Sequence, residues 1–256
     1  MKVLPGNAIH IGRRQQQQDA FALSDFSDGD FVAHAGCVAV VADGIGGLLH
    51  GAEAANIAVS RFLEDYQTKF HAQTVSEALD DALLAANQAV CDAGFYLGCP
   101  ERIGTTLIAA AIHQGQLHWR AVGDSHLYLC RGGRLSQLNA DHNFARQLQI
   151  LVNEGIISQQ EADTHPERQA LEAFLGVNPL ADIARNRQPL PLQNGDILLL
   201  CTDGVYAELS VDEIMACLCL APMMAAQALC DAVLAKQQPH QDNLTAVVLC
   251  VAETDA

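Results

Sequence analysis

The apolar positions along this chain fall into two rhythms. Unbroken apolar runs at Cys37-Val-Ala-Val-Val-Ala42, Ile197-Leu-Leu-Leu-Cys201 and Leu244-Thr-Ala-Val-Val-Leu-Cys-Val251 predict strands covered on both faces. Residues 51–70 instead place Ala55, Ala58, Phe62, Tyr66 and Phe70 at steps of three and four, the stripe of a packing helix. Residues 75–93 repeat that rhythm through Leu79, Ala82, Leu83, Ala86, Ala89 and Val90, with Ser76 at the position read as a cap. Over 104–139 the period shortens to strands at 105–112, 117–122, 126–130 and 135–138, joined by turns rich in glycine. That spacing predicts an antiparallel meander. Residues 7–42 read as two or three strands, with Ser24 to Asp30 as a polar loop between them. Residues 143–176 are polar and helical with Pro166 interrupting, and 144–190 is expected to form a mobile flap over a site. Residues 211–235 predict two helices split at Pro222. The order is an α+β layout with two sheets, not a βαβ alternation, and the expectation is one domain over 1–256.

Composition and charge narrow the function. Half of the 256 residues are apolar and 17% are charged, the profile of a globular chain with a sizeable core. Lys plus Arg number 14 against 30 acids, a net charge of -16. Such a field repels phosphate backbones and anionic lipid, so neither nucleic acid nor a membrane surface is an expected partner. No apolar stretch reaches the roughly 20 residues of a membrane span, and Met1 to Asn7 lacks the pattern of a leader peptide. The nine cysteines include no C-x-x-C pair and read as buried thiols of a reducing, cytoplasmic protein.

Four aspartates stand where apolar runs stop: Asp43 after 37–42, Asp124 after 117–123, Asp203 after 197–202, and Asp242 just before 244–251. A carboxylate at the mouth of a buried strand is costly unless something positive sits beside it, so four of them point to a shared cation. A fifth acid, Asp19, ends Arg14-Gln-Gln-Gln-Gln-Asp19. Glycine follows both Asp43 and Asp203, which lets a backbone carbonyl approach as a further oxygen ligand. An all-oxygen set suits Mg²⁺ or Mn²⁺, and the histidines and cysteines show no zinc spacing. Two such ions about 3.5–4 Å apart can activate a bridging water and clamp a phosphate. For Asp124 a turn-capping role stands beside a metal role, and for Arg14 a solvated basic pair with Arg13 stands beside a phosphate contact.

These segments in this order resemble the metal-dependent protein phosphatases of type 2C, the PPM family, in their compact bacterial form. The likeness rests on Arg14 to Asp19, Val41-Ala-Asp-Gly-Ile-Gly-Gly47 with Gly51 and Glu53, Gly104-Thr-Thr106, and Ala121-Val-Gly-Asp-Ser125 with Tyr128, Arg131 and Gly133. It continues through Asp141-His142, Leu198-Leu-Leu-Cys-Thr-Asp-Gly204 and Asp242-Asn-Leu-Thr245. The resemblance implies a four-layer α-β-β-α sandwich, with two mainly antiparallel sheets, flanking helix pairs and a flap. It implies a serine/threonine phosphoprotein phosphatase with two Mn²⁺ or Mg²⁺ ions. In that pattern Asp43 bridges both ions and the Gly44 carbonyl binds one. Asp203 and Asp242 hold the other, and Asp19 acts beside them. Asp124 matches an acid that helps hold a third, weaker ion, and Arg14 an arginine that grips the substrate phosphate. The implied reaction is attack by a metal-bound water on phosphorus, with no phosphoenzyme.

The chain departs from the family at the leaving-group acid. Ile45 and Leu48 occupy the two places where members carry a histidine. His50 is the nearby substitute, with a metal-bound water as the other proton source. A missing acid could slow turnover by up to about 10²–10⁴-fold. The departure keeps two further readings open: a weakly active or non-catalytic phosphoprotein-binding module, and a phosphomonoesterase for small esters. The expected partner is a phosphorylated protein, a serine/threonine kinase or its targets, met by a monomer.

Overall fold

The computed structural model describes residues 1–180 and 182–253. The chain opens with strands β1 (Lys2–His10) and β2 (Asp19–Leu23), helix α1 (Gly29–Ala35) and strand β3 (Cys37–Asp43). Helices α2 (Gly51–Gln67) and α3 (Val75–Tyr96) follow, then strands β4 (Leu107–His113), β5 (Gln116–Val122), β6 (His126–Arg131) and β7 (Arg134–Gln137). Next come α4 (Phe144–Asn153), α5 (Gln159–Asp163), β8 (Ala184–Arg185), β9 (Leu190–Pro191) and β10 (Ile197–Cys201). Helices α6 (Asp203–Tyr206), α7 (Val211–Leu218) and α8 (Pro222–Ala235) lead into β11 (Leu244–Ala252). None of the described helices is long and apolar enough to cross a membrane.

Two antiparallel sheets form the centre. One has the order β1-β11-β10-β6-β7; the other runs β2-β3-β4-β5-β8, with β9 also paired to β5. Period-two alternation explains why the apolar runs are unbroken. Val38, Val40 and Ala42 of β3 pack with Leu107, Ala109 and Ala111 of β4 against α2 and α3. The intervening Ala39, Val41, Ile108 and Ala110 meet Leu198, Leu200, Val247 and Leu249 of the opposite sheet. On the far side, Leu199, Cys201, Ala246 and Val248 pack with Leu218, Ala226 and Leu229 of the α7–α8 pair. The result is the expected α-β-β-α sandwich, in which every central strand is buried on both faces.

Several local expectations are corrected. The loop read at 24–30 holds over 24–28, but residues 29–35 form α1 where a strand was expected, because the Asp28 carboxylate accepts from Phe31 N at 3.0 Å and caps a helix there. Helix α3 starts at Val75 as expected, but its cap is Thr74, two residues before Ser76, in a reciprocal box with Glu77. Phe70 lies beyond the end of α2 and is exposed, so it is not part of the helix stripe. The turn Gly123-Asp-Ser125 does not close a hairpin. It carries the chain from β5 in one sheet to β6 in the other, so the meander is two separate hairpins. The stretch 144–190 holds α4 and α5, but its last part returns to the sheet, where Ala184 and Arg185 pair with Ala121 and Arg120.

Candidate active site

One end of the sandwich collects the acids. Asp19 begins β2 and Asp43 ends β3, and the two are directly opposed in the antiparallel register. Asp124 follows β5, Asp203 opens α6 immediately after β10, and Asp242 stands just before β11. Strands from both sheets therefore deliver one carboxylate each to the same mouth. A cavity of about 170 Å³ there is lined by Arg14, Asp43, Gly44, Asp124, Asp203 and Asp242. Asp19 lies behind it, 3% exposed.

The backbone is shaped for this convergence. A Cβ on Gly44 would strike the Gly51 carbonyl, and one on Gly204 would strike the Asn243 carbonyl, so the Asp-Gly pairs at 43–44 and 203–204 admit no larger residue. Asp43 is held from the neighbouring strand. Its N–H donates to Thr106 Oγ1 at 3.0 Å, and its carbonyl accepts from Thr106 N and Thr105 Oγ1, both at 2.8 Å. The Asp19 carboxylate accepts through Oδ2 from Thr202 Oγ1 at 2.9 Å and Thr245 Oγ1 at 2.7 Å. Its Oδ1 is buried with no partner among the described residues.

The electrostatics follow from packing like charges out of water. Burial, then the charges of Asp19, Asp203, Asp124 and Asp242, push the Asp43 carboxyl well above the carboxylate range. Burial first, and then Asp203 and Asp242, raise Asp19 to about 7 against the two threonine bonds. Asp124 is raised to about 7 by burial and by Asp203 and Asp141. Asp203 is raised by burial and Asp242, with Gly204 N–H, Asp43 and Arg14 opposing. Among the described residues, no three acidic, histidine or cysteine side chains are already drawn into a compact ligand group. Asp43 and Asp203 share a side-chain hydrogen bond, and Arg14 Nη2 meets Asp242 Oδ2 at 2.6 Å. Five acids in one small space, one of them with an orphaned buried oxygen, form a donor set that fits hard divalent cations.

Of the residues singled out from the sequence, the structure brings together Arg14, Asp43, Gly44, Asp124, Asp203 and Asp242, with Asp19 adjoining. It does not bring in His50. That residue precedes α2 in a left-handed conformation, φ 56°, with its Nδ1 3.5 Å from Glu53 and outside the cavity lining. Ile45, by contrast, lines the cavity. Several site residues were not singled out. Asn243 donates to the carbonyls of Ile11 (2.9 Å) and Gln16 (3.1 Å) and accepts from Gln18 N (2.8 Å), so it pins the loop that carries Arg14. Thr202 and Thr245 hold Asp19. These flank acids in the sequence, which was the available signal. Gln169 and Leu171 reach the cavity from the 144–190 stretch with no local signal at all.

Known proteins give the same picture. The sequence model described as Protein phosphatase 2C matches residues 8–247. The serine/threonine phosphatase Stp of Listeria monocytogenes is 33% identical over 185 residues, covering 70% of this chain and 71% of that protein. The crystal structure of the Mycobacterium tuberculosis serine/threonine phosphatase PstP superposes with a TM-score of 0.79 at 26% identity, over 99% of this chain and 100% of that one. A structure of the PstP catalytic domain in complex with two manganese ions gives a TM-score of 0.75 at 26% identity, over 98% of this chain and 99% of that one. The chain belongs to the protein phosphatase 2C family.

Proposed function

We propose that this metal-dependent protein serine/threonine phosphatase hydrolyses phosphoserine and phosphothreonine at the acid-lined cavity. The observation that carries the reading is the convergence of Asp19, Asp43, Asp124, Asp203 and Asp242, from both sheets, around one opening beside Arg14. Asp43, Asp203, Asp242 and the Gly44 carbonyl would hold two Mn²⁺ or Mg²⁺ ions, with Asp19 beside them and Asp124 toward a third. Bound there, the ions supply a water of lowered pKa and a Lewis acid for the phosphoryl oxygens.

The chain's own residues do the positioning. Among the described residues Arg14 is the one cationic side chain in the cavity lining, and its planar fork suits two phosphoryl oxygens at once. It holds Asp242 in this structure and is half exposed, so it can turn from that carboxylate to a substrate without crossing the core. Asn243 keeps its loop in place, and Thr105 with Thr106 fixes the Asp43 backbone. Gln169 and Leu171 bring the 144–190 stretch to the wall of the opening. With His50 outside the lining, no histidine of the cavity protonates the leaving alkoxide. An acidic surface around this opening suits basic phosphorylated segments, and a cytoplasmic, monomeric enzyme acting on a kinase or its targets is the setting this reading implies.

The test is Mn²⁺-dependent hydrolysis of p-nitrophenyl phosphate and of a phosphothreonine peptide, with Asp203→Asn alongside. The reading expects activity on both that is lost in the variant. No activity on either, in wild type and variant alike, leaves a phosphoprotein-binding module. Turnover of nucleotides or sugar phosphates in preference to the peptide favours a small-ester phosphatase.

A further inference from the structure

A second cavity, about 870 Å³, opens at the opposite end of the β2–β5 sheet. Asp43 ends β3 at the acid-lined mouth. The other end of that strand, Cys37, adjoins α1, and the β4–β5 hairpin turns beside it at His113 and Gln116. Six strand steps separate the two ends, about 20 Å at about 3.3 Å per residue. In a chain of net charge -16 counted with neutral histidines, the lining of this cavity carries no net negative charge on the same count. It is lined by Lys69 and by His34, His71, His113 and His118, against one carboxylate, Asp30.

Lys69 is the anchor of the argument. It is 9% exposed, and among the described residues its ammonium has neither a hydrogen bond nor an ion pair. Burial alone lowers its pKa, with no compensating charge. Its stem is buried while its ammonium opens onto the cavity, where a ligand can supply the counter-charge it lacks. The histidines are set up to assist. His34 donates its Nε2–H to the Lys69 carbonyl at 2.7 Å, and His113 donates its own to the Ala33 carbonyl at 3.1 Å. Carbonyls only accept, so both neutral rings carry their proton on Nε2, and their Nδ1 atoms become donors only on protonation. The rings of His34 and His71 lie 4.4 Å apart, where a second positive charge needs an anion beside it. The 22-residue helix α3 begins at the cavity wall with Thr74 and Val75, adding the positive end of its dipole. The other charged groups facing this region are Asp30 on α1, Glu77, which is occupied in capping α3, and the Asp80–Arg120 pair between α3 and β5.

We propose that this cavity is a second binding site, for an oxyanion of the phosphate class, with Lys69 as its fixed charge and His34 and His71 as pH-dependent donors. The anion is either free or carried on a phosphorylated protein segment. A divalent metal is the wrong ligand for it, because the Lys69 ammonium repels a cation and, among the described residues, no three histidine, cysteine or acidic side chains stand close enough together to hold one.

Sulfate is the probe, because it does not titrate near neutral pH and is not turned over, so the readout is independent of the catalytic proposal. Calorimetric titration of the full chain at pH 6, 7 and 8, in buffers of different ionisation enthalpy, is expected to show binding with proton uptake. Affinity should fall as pH rises, by about tenfold per pH unit for each proton taken up on binding. Lys69→Met should weaken binding at least tenfold, and His71→Asn, at an exposed position, should reduce the proton uptake with the fold intact. Absence of sulfate binding would overturn the proposal. So would binding unaltered in both variants, which places the anion at Arg14, or an affinity independent of pH. Inorganic phosphate and a phosphoserine peptide then separate the sources. A Lys69-dependent preference for the peptide assigns the site to phosphorylated proteins, and the reverse preference assigns it to a free anion.

Discussion

Replacing Asp19 by asparagine should make the metal-free protein more stable at alkaline pH, although it removes a residue of the site. Asp19 is 3% exposed, and one carboxylate oxygen has no partner. Its pKa is raised from 3.8 to about 7, chiefly by burial. A folded pKa above the unfolded one means that the folded protein binds more protons between the two values. The Asp19 contribution to stability is therefore greatest below about pH 4 and is lost as pH rises toward 7. The separation of about 3 units corresponds to about 4 kcal/mol at about 1.4 kcal/mol per unit. About 2 of those units, or about 3 kcal/mol, fall between pH 5 and pH 8. An asparagine keeps one oxygen for the Thr202 and Thr245 hydroxyls and carries no charge, so this share of the pH dependence disappears. Urea unfolding in EDTA at pH 5, 6, 7 and 8 reads it directly. The wild type should lose about 3 kcal/mol more than Asp19→Asn over that range, a difference of about 6–12 °C in Tm for a chain of this size. Parallel pH profiles for the two proteins, or a wild type that gains stability toward pH 8, would refute the reasoning.

Arg14→Ala should lower kcat/KM on a phosphothreonine peptide by about 10–100-fold, the worth of a charge-assisted contact of about 1.5–3 kcal/mol, with unfolding unchanged. Asn243→Ala should lower stability by about 3 kcal/mol in urea unfolding, since it leaves three backbone groups of the 11–18 loop unpaired, and should lower kcat/KM as the Arg14 loop loosens. His50→Asn should leave kcat/KM within about twofold, because His50 stands outside the cavity and asparagine tolerates its left-handed backbone. A fall of about 10²-fold or more would reinstate it as the leaving-group acid.

The sequence was legible where one physical cause dominates. Strands such as β3, β10 and β11 are buried on both faces, so their composition alone declares them, and the acids at their ends are conspicuous because nothing apolar excuses a charge there. Residues whose role comes from a distant partner were hidden. Asn243 reads as the neighbour of Asp242, yet its amide works on a loop more than two hundred residues earlier. Gln169 and Leu171 reach the cavity only because Leu175 pairs with Thr105 and Glu172 N donates to the His142 carbonyl. Helix α1 was missed because a capping bond at Asp28 starts a helix where the polar loop ends. The Gly123–Ser125 turn was misread because chain spacing cannot say whether two strands share a sheet. His50 drew notice by sequence proximity, and the backbone then turned it toward Glu53 rather than the cavity.

The central claim is that carboxylates from both sheets bind divalent ions at one mouth of the sandwich. Anomalous diffraction at the manganese edge, from crystals of this chain grown with Mn²⁺, tests it most directly. The account predicts two ions within ligand distance of Asp43, Asp203 and Asp242, absent in crystals of Asp43→Ala. Crystals that show no manganese between those three aspartates, at Mn²⁺ concentrations that support hydrolysis, would contradict it.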